Sequence, residues 1–458
     1  MTRQSFKNFS LFFGDVAVFY FSLFLTLVIR HERDASVTFF WKQHVFSFTF
    51  LGAIWIVIFF LNNLYNYSSA LIRITNFEFF KGYLRSMALN VVVMIIFFYF
   101  NSYFTITPKT NLALFVVIFT LLFLFWRFVH ANILVRTMPI NNILLIDLSG
   151  VALPLAQRII DNPIRGHRLR AVIQQGTEHY ARLEDIKIFN DIEQLETVVA
   201  QENIATIIVD NALHHSMQMN WYQFLSRGIS VVDVSTFWEE FSQEIPVTIT
   251  NPFWFLGGLR NAQKQGYEFI KRAIELVLSS ILGLFCLPFL PCILFGIKLT
   301  SSGPIFYAQK RVGKNGKEFT LFKFRTMTND AEKDGPQWSK KNDSRVTMIG
   351  KFLRHTHLDE IPQLWNIFRG ELSLIGPRPE RPEFTQELER EIPYYALRSL
   401  VRPGLTGWAQ INYCYGSSRE DAIKKLAYDL YYIKNRSILL DIKIFLKTVA
   451  FLFRGEGR

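Results

Sequence analysis

Four long apolar stretches open the chain, at roughly 11–29, 45–64, 86–103 and 111–134. Each is long enough to cross a bilayer, because about 20 helical residues rising ~1.5 Å apiece cover a ~30 Å hydrocarbon core. No small-residue cleavage site follows the first stretch and three more come after it, so it reads as a retained anchor. From Asn141 the pattern changes. Short β-branched runs at 143–146, 169–173, 204–209 and 229–234 alternate with helical candidates at 151–160, 192–202 and 215–227, which predicts a small parallel α/β domain. A fifth apolar run, 276–297, carries no charge. Pro288 and Pro291 fall in its second half, where a proline removes a helix hydrogen bond and kinks the chain. The expected result is a re-entrant helix over about 271–298, broken at Pro288, with both ends on one face of the membrane. A straight fifth span would put everything after Ile297 on the other side.

Half of the 458 residues are hydrophobic and 46 are Phe, more than a soluble core needs. With a cytoplasmic N-terminus, seven flanking cations lie inside (Arg3, Lys7, Arg73, Lys81, Arg85, Arg127, Arg136) and four outside (Arg30, Arg33, Lys42, Lys109), a bias that favours this orientation. Asp15 lies within the first span, where a carboxylate is costly, and helix packing or an interfacial position is the expected reason. Cys286, Cys292 and Cys414 show neither metal-ligand spacing nor a disulfide framework. The net charge of +12 resides wholly in residues 251–458, with 32 Lys and Arg against 20 Asp and Glu, whereas residues 1–250 balance at 18 against 18. Such a basic part suits anionic lipid or a phosphorylated substrate. No nucleic-acid-binding motif accompanies it, so nucleic acid is not an expected partner. In the α/β part, the first strand-to-helix turn reads Asp147-Leu148-Ser149-Gly150-Val151-Ala152, one glycine where a dinucleotide fingerprint has three, so this domain is expected to hold no nucleotide. The fold class is therefore membrane α plus α/β. Four transmembrane helices (1–137) precede a small Rossmann-like α/β domain (138–250) and a C-terminal α+β domain with the re-entrant helix (262–458).

The chemistry gathers in the last domain. Asp359-Glu360 stands just before Pro362, a residue suited to the first helical position. A helix over about 362–369 would hold both carboxylates at its positive end and favour their ionised forms. An ionised carboxylate serves as nucleophile or Mg²⁺ ligand. In the segment FTLFKFRTM, Lys323 and Arg325 alternate with apolar residues, so a strand there places both on one face. Arg354 lies five residues before Asp359, and Gly376-Pro377-Arg378-Pro379 is constrained enough to fix Arg378 for bidentate phosphate recognition. Residues 402–408, Arg-Pro-Gly-Leu-Thr-Gly-Trp, look like a second such turn. His355 and His357, two residues apart, are too sparse for a metal site and read as packing or polar surface. In 428–453, Lys434, Arg436, Lys443 and Lys447 are expected to face lipid headgroups from a membrane-hugging helix pair.

Taken together, KFRTM, LDEIPQLWNIFRGELSLIGPRPE, VRPGLTGWAQIN and YDLYYIKNRSILLDIKIFLKT resemble the bacterial sugar transferase family, the monotopic polyprenyl-phosphate phosphoglycosyl transferases, over about residues 265–458. Four spans plus a central α/β domain look like the larger subgroup that begins exopolysaccharide, capsule or O-antigen assembly. The segment DAEKDGPQWSKKNDSRVT is similar to exopolysaccharide sugar transferases associated with exosortase systems. The resemblance implies transfer of a hexose 1-phosphate from a UDP-sugar to undecaprenyl phosphate, with release of UMP, at the cytoplasmic face of a bacterial plasma membrane. It implies Asp359 as the nucleophile of a covalent phosphosugar intermediate and Glu360, with Asp359, at Mg²⁺. Lys323, Arg325, Arg354, Arg378 and Arg402 would hold phosphates or the nucleotide. Two departures stand out: Leu287-Pro288 where the family often has Ser-Pro, and His357 where it often has Ser or Arg, a position expected not to touch the carboxylates. The central α/β domain offers a contact surface for a homo-oligomer.

Two other function classes share parts of this pattern. A membrane-bound nucleotide-sugar dehydratase or epimerase needs the glycine fingerprint and a Tyr-x-x-x-Lys pair, for which the only spacing is Tyr267 to Lys271. A non-catalytic scaffold for polysaccharide export would leave the carboxylate pair incidental.

Overall fold

The computed structural model describes residues 3–31, 37–62, 64–65, 77–100, 108–134, 140–146, 152–161, 166–174, 186–209, 221–247, 265–300, 303–328, 345–413 and 418–454. The chain divides into two compact units, Met1–Val234 and Ser235–Arg458. The first opens with α1 (Arg3–His31), α2 (Val37–Leu61), α3 (Phe77–Phe100) and α4 (Pro108–Val129), the last running into a π turn at His130–Leu134. Among the described residues, five segments are long and apolar enough to cross a membrane: Phe9–Arg30, His44–Leu61, Phe79–Phe100, Leu112–Asn132 and Gly266–Thr300. The surplus of phenylalanine is explained on two surfaces. Phe19, Phe59, Phe115, Phe119 and Phe123 pack around Trp55 inside the bundle, with Trp55 and Phe119 edge to face at 5.0 Å, a geometry that aromatic quadrupoles favour. Phe46 and Phe125 point outward, as side chains do where lipid replaces water.

Asp15 accepts a 2.6 Å bond from Arg127 Nη2, and both side chains are buried. Arg127 also donates to the Leu64 carbonyl at 2.8 Å and lies over the Phe123 ring at 4.7 Å. The carboxylate in the first span is thus a helix-packing residue. Arg127 belongs to the bundle interior instead of the cytoplasmic flank, which leaves six inside cations against four outside and keeps the sign of the bias.

Beyond the bundle, β1 (Asn141–Ile146), β2 (His167–Ile173), β3 (Lys187–Phe189), β4 (Thr206–Val209) and β5 (Ser230–Asp233) form one sheet in the order β3-β2-β1-β4-β5, with every pairing parallel. Strands 1, 2, 4 and 5 lie where the β-branched runs place them. β3 is a three-residue edge, half exposed, too short to leave a periodic signal. The crossovers include α5 (Ala152–Asp161), α6 (Leu195–Gln201) and α7 (Tyr222–Ser226). The expected turn at 147–151 and the start of the helix expected at 215–227 lie outside the described residues.

The second unit, which begins at Ser235, opens in α8 (Val234–Ser242), and an irregular tail follows to Val247. Ile245 and Val247 are buried in the same cluster as Trp408, Leu430 and Ile433, and the Ile245 N–H donates to the Ala427 carbonyl at 3.0 Å. Periodicity assigns this segment to the α/β part because it cannot show which core a short helix joins. Next come α9 (Gln265–Cys286), a 3₁₀ turn at Leu287–Phe289 that contains Pro288, and α10 (Leu290–Thr300). Phe285, Leu287, Phe289 and Phe295 around the break are exposed. The polar base of α9 is tied to the rest of the unit: Arg272 caps the last carbonyls of α12 (Gln363–Arg369), reaching Ile367 at 2.6 Å and Phe368 at 2.9 Å. α11 (Met348–His355) precedes α12. The β6 (Phe306–Val312) and β7 (Glu318–Phe324) hairpin, the parallel pair β8 (Ser373–Ile375) and β9 (Gly404–Thr406), α13 (Pro382–Glu391), α14 (Trp408–Asn412), α15 (Arg419–Asn435) and α16 (Ile438–Arg454) complete it.

Candidate active site

Three elements converge on the carboxylate pair. β7 brings Lys323, opposite Tyr307 in the hairpin register. α11 brings Arg354 in its last turn, its start fixed by Thr347, whose hydroxyl accepts from the Gly350 N–H at 3.0 Å. Glycine at 350 lets the helix lie on the 326 backbone: a Cβ there would stand 2.1 Å from the Thr326 carbonyl oxygen. His357 then turns the chain in the left-handed region at φ 56°, and Leu358–Glu360 forms a 3₁₀ turn that runs into α12 with Pro362 as its N-cap. Helix regularity starts at Gln363, one residue later than expected, and the carboxylates ride on the preceding turn.

Glu360 Oε1 accepts from Lys323 Nζ at 2.7 Å and from Arg378 Nη2 at 3.4 Å. Burial pushes the Glu360 carboxyl up, but the Lys323 and Arg378 charges outweigh it and hold it well below the usual carboxylate range. Asp359 is buried, 7% exposed. Its burial raises its pKa; Lys323 opposes this, the Glu360 charge adds to it, and Arg354 and His357 oppose it, the net result being upward. One carboxylate is thus firmly ionised while its neighbour is desolvated, the kind of separation that divides roles between paired acids. The charge of His357 lowers the pKa of both carboxylates.

The other expected residues distribute unevenly. Arg354 donates from Nε to Thr326 Oγ1 at 2.9 Å, and its charge opposes the rise in the Asp359 pKa. Arg325 follows the end of β7 and is buried, its N–H bonded to the Ile305 carbonyl at 2.9 Å. Arg402 sits in another cluster, 3.5 Å from Glu268 and beside Lys271, Tyr432 and Arg436. The second constrained turn is in fact β9 and the start of α14, interlocked with Gly376: a Cβ on Gly404 would lie 2.0 Å from the Gly376 nitrogen. The four C-terminal cations are held by protein groups instead of facing headgroups. Lys434 pairs with Glu239 at 2.6 Å, Arg436 pairs with Glu268, and Lys443 and Lys447 lie over the Trp408 ring at 4.8 and 5.3 Å. Acidic and aromatic partners from distant segments outcompete water there, a fact local periodicity does not carry.

Tyr267 and Lys271 are spent on a buried network: Tyr267 donates to Asp441 Oδ2 at 2.7 Å, and Lys271 Nζ reaches Tyr432 Oη at 2.6 Å and the Ile375 carbonyl at 2.7 Å. The pair therefore holds the base of α9 in place, which removes the feature that favoured a dehydratase or epimerase. Sequence reading missed Asn366, wholly buried, which ties α12 to β7 by accepting from the Phe322 N–H at 3.2 Å and donating to the Thr320 carbonyl at 2.7 Å. An amide on the apolar face of a short helix was the signal available.

No group of three or more His, Cys, Asp or Glu able to hold a metal occurs among the described residues. Two adjacent carboxylates nevertheless suit Mg²⁺, which keeps several waters and takes one or two carboxylates plus substrate phosphates. Both cation contacts of Glu360 fall on the same oxygen, Oε1.

A family model described as bacterial sugar transferase matches residues 266–455. Among similar curated proteins, the UDP-N-acetylgalactosamine-undecaprenyl-phosphate N-acetylgalactosaminephosphotransferase of Aeromonas hydrophila is 41% identical over 191 residues, 42% of this chain and 45% of that protein. The UDP-glucose:undecaprenyl-phosphate glucose-1-phosphate transferase of Escherichia coli (strain K12) is 41% identical over 188 residues, 41% of this chain and 40% of that protein. A putative undecaprenyl-phosphate N-acetylgalactosaminyl 1-phosphate transferase of Bacillus subtilis (strain 168) is 47% identical over 132 residues, 29% of this chain and 74% of that protein. The match thus spans less than half the length of the first two relatives.

Proposed function

Because the chain belongs to the bacterial sugar transferase family, we propose that it moves a sugar 1-phosphate from a UDP-sugar to undecaprenyl phosphate in a bacterial plasma membrane and so initiates a surface or exported polysaccharide. The observation that carries this reading is the buried Asp359 next to an ionised Glu360, with Lys323, Arg354 and Arg378 brought to the pair from three separate segments. In the first half-reaction an Asp359 carboxylate oxygen attacks the phosphorus that bears the sugar. The bond from that phosphorus to the bridging oxygen breaks, and UMP leaves with the electron pair. In the second, a phosphate oxygen of undecaprenyl phosphate attacks the same phosphorus and displaces Asp359, giving the undecaprenyl-diphosphate sugar. An anionic nucleophile reaches a diphosphate only where cations neutralise it. Lys323, Arg354 and Arg378 supply fixed positive charge. Mg²⁺, for which Glu360 and Asp359 would be the protein donors, would neutralise phosphate oxygens.

The relatives' names divide between glucose and N-acetylgalactosamine donors, so the sugar is taken to be a hexose or N-acetylhexosamine. The strand order β3-β2-β1-β4-β5 supports a Rossmann-like reading of the central domain. The 3₁₀ break at Pro288 within the exposed apolar helix 265–300 supports re-entry, which keeps the site on the cytoplasmic side with the nucleotide sugars. The test is UMP release by the purified full chain offered a panel of UDP-sugars with undecaprenyl phosphate. Release with at least one donor, abolished by Asp359→Asn, is expected. Unchanged release by the variant would end the nucleophile assignment, and no release from the unmutated chain with any donor would favour a scaffold.

A further inference from the structure

Arg378 reaches Glu360 from an irregular loop, and its side chain is 35% exposed, so its own packing does not fix where the guanidinium points. The loop's main chain does. Four carbonyls between Ile375 and Pro379 are each claimed from outside the loop: Ile375 by Lys271 at 2.7 Å, Pro377 by the Gly404 N–H at 2.8 Å, Arg378 by Arg398 at 3.0 Å and Pro379 by Arg311 at 3.0 Å. Of these donors Arg398 acts on the residue that carries the charge. We infer that Arg398 is a positioning residue for the proposed transfer: it clamps the Arg378 carbonyl to the buried Asp429 and thereby holds the Arg378 guanidinium beside Glu360.

The Arg398 fork is fully committed to protein. Nη2 donates both to the Arg378 carbonyl and, at 2.9 Å, to Asp429 Oδ2. Nη1 donates to Tyr395 Oη at 2.6 Å and lies 4.0 Å from Glu380, while the guanidinium covers the Tyr395 ring at 5.1 Å. A planar fork can hold these partners together; the single head of a lysine cannot. Asp429 is 1% exposed and lies on α15, so the anchor at the far end is a rigid helix instead of a surface loop. Arg378 and Arg398 line the same cleft with Pro377 and Glu380, yet the donors of Arg398 point into the protein. A shift of ~1 Å in a group that orients a substrate lowers turnover by about 100-fold, which is why a main-chain clamp outside the reacting atoms matters.

The inference rests on the phosphate-binding part given to Arg378 above, and a double-mutant cycle separates the two. The paired change Arg398→Gln with Asp429→Asn removes both buried charges and keeps amides in their place, while the thermal midpoint of the full chain in detergent monitors the fold. Using a donor that the unmutated protein turns over, the pair is expected to lower kcat by on the order of 10-fold to 100-fold with a smaller change in KM. In an Arg378→Gln background the same pair is expected to lower kcat by less than about 3-fold more, since neighbours that act through one another are not additive. Equal losses in both backgrounds, or undiminished turnover in the pair, would overturn the inference. If the pair lowers the thermal midpoint, Arg398→Lys, which keeps a charge against Asp429, takes its place in the cycle with the same two outcomes. Full turnover by Arg378→Gln alone would instead overturn the part given to Arg378, and the clamp's purpose with it.

Discussion

Two buried aspartates show what single residues disclose in a sequence. Asp359 is legible because its neighbours in the chain are informative: a second carboxylate, a proline two residues further on and cations within a short distance on either side. Asp15 is not, because its partner Arg127 lies 112 positions away, on the last helix of the bundle. The same limit explains Arg402, assigned to phosphate yet bonded to Glu268, and Asn366, whose value depends on the strand it meets. The ion pair in the bundle has a sharp consequence. Removing one partner of a buried pair leaves an uncompensated charge and is expected to destabilise by about 3–5 kcal/mol, whereas replacing both with apolar residues is close to neutral. Asp15→Ala should therefore lower the thermal midpoint in detergent strongly, and Asp15→Leu with Arg127→Met should restore most of it. A midpoint that does not move in Asp15→Ala would show that the pair is dispensable to packing.

At the scale of elements, periodicity located the four helices of the bundle and four of the five parallel strands, since each buries a continuous apolar face long enough to repeat. It missed β3, three residues long, and it could not show that α8 and its tail join the C-terminal core. Those residues lie upstream of the family match at 266–455. They carry a set of specific contacts: Glu244 with Lys424 at 2.7 Å, Glu239 with Lys434 at 2.6 Å, and the Gln243 carbonyl accepting from Trp408 Nε1 at 2.9 Å. Burying Ile245 and Val247 adds about 1.5–3 kcal/mol each. A chain beginning at Ser235 is accordingly expected to stay monodisperse in detergent, and one beginning at Gly266 to aggregate or melt at a lower temperature. Equal behaviour of the two would show that the upstream segment is only docked on a core already complete.

For the whole molecule, the surplus positive charge lies in the half of the chain that the family model matches, but a charge count does not say where each cation points. Among the described residues, several C-terminal cations are taken up by internal acids and by Trp408, whereas Lys323 and Arg378 reach Glu360. On the proposed topology, four crossings return the chain to its starting side, and a re-entrant 265–300 segment would leave it there. A cysteine at the exposed Glu383 of a protein otherwise free of cysteine should therefore resist an impermeant thiol reagent in intact cells and react once the membrane is opened; labelling in intact cells would make the fifth apolar helix a true span. The chemistry is tested most directly by intact-mass measurement of the purified chain mixed with its UDP-sugar donor in the absence of undecaprenyl phosphate. One phosphosugar adduct per chain, mapped to Asp359, matched by an equal amount of UMP and discharged on adding undecaprenyl phosphate, is the expected result. Release of UMP without any adduct, or with the adduct on another residue, would contradict Asp359 as the nucleophile.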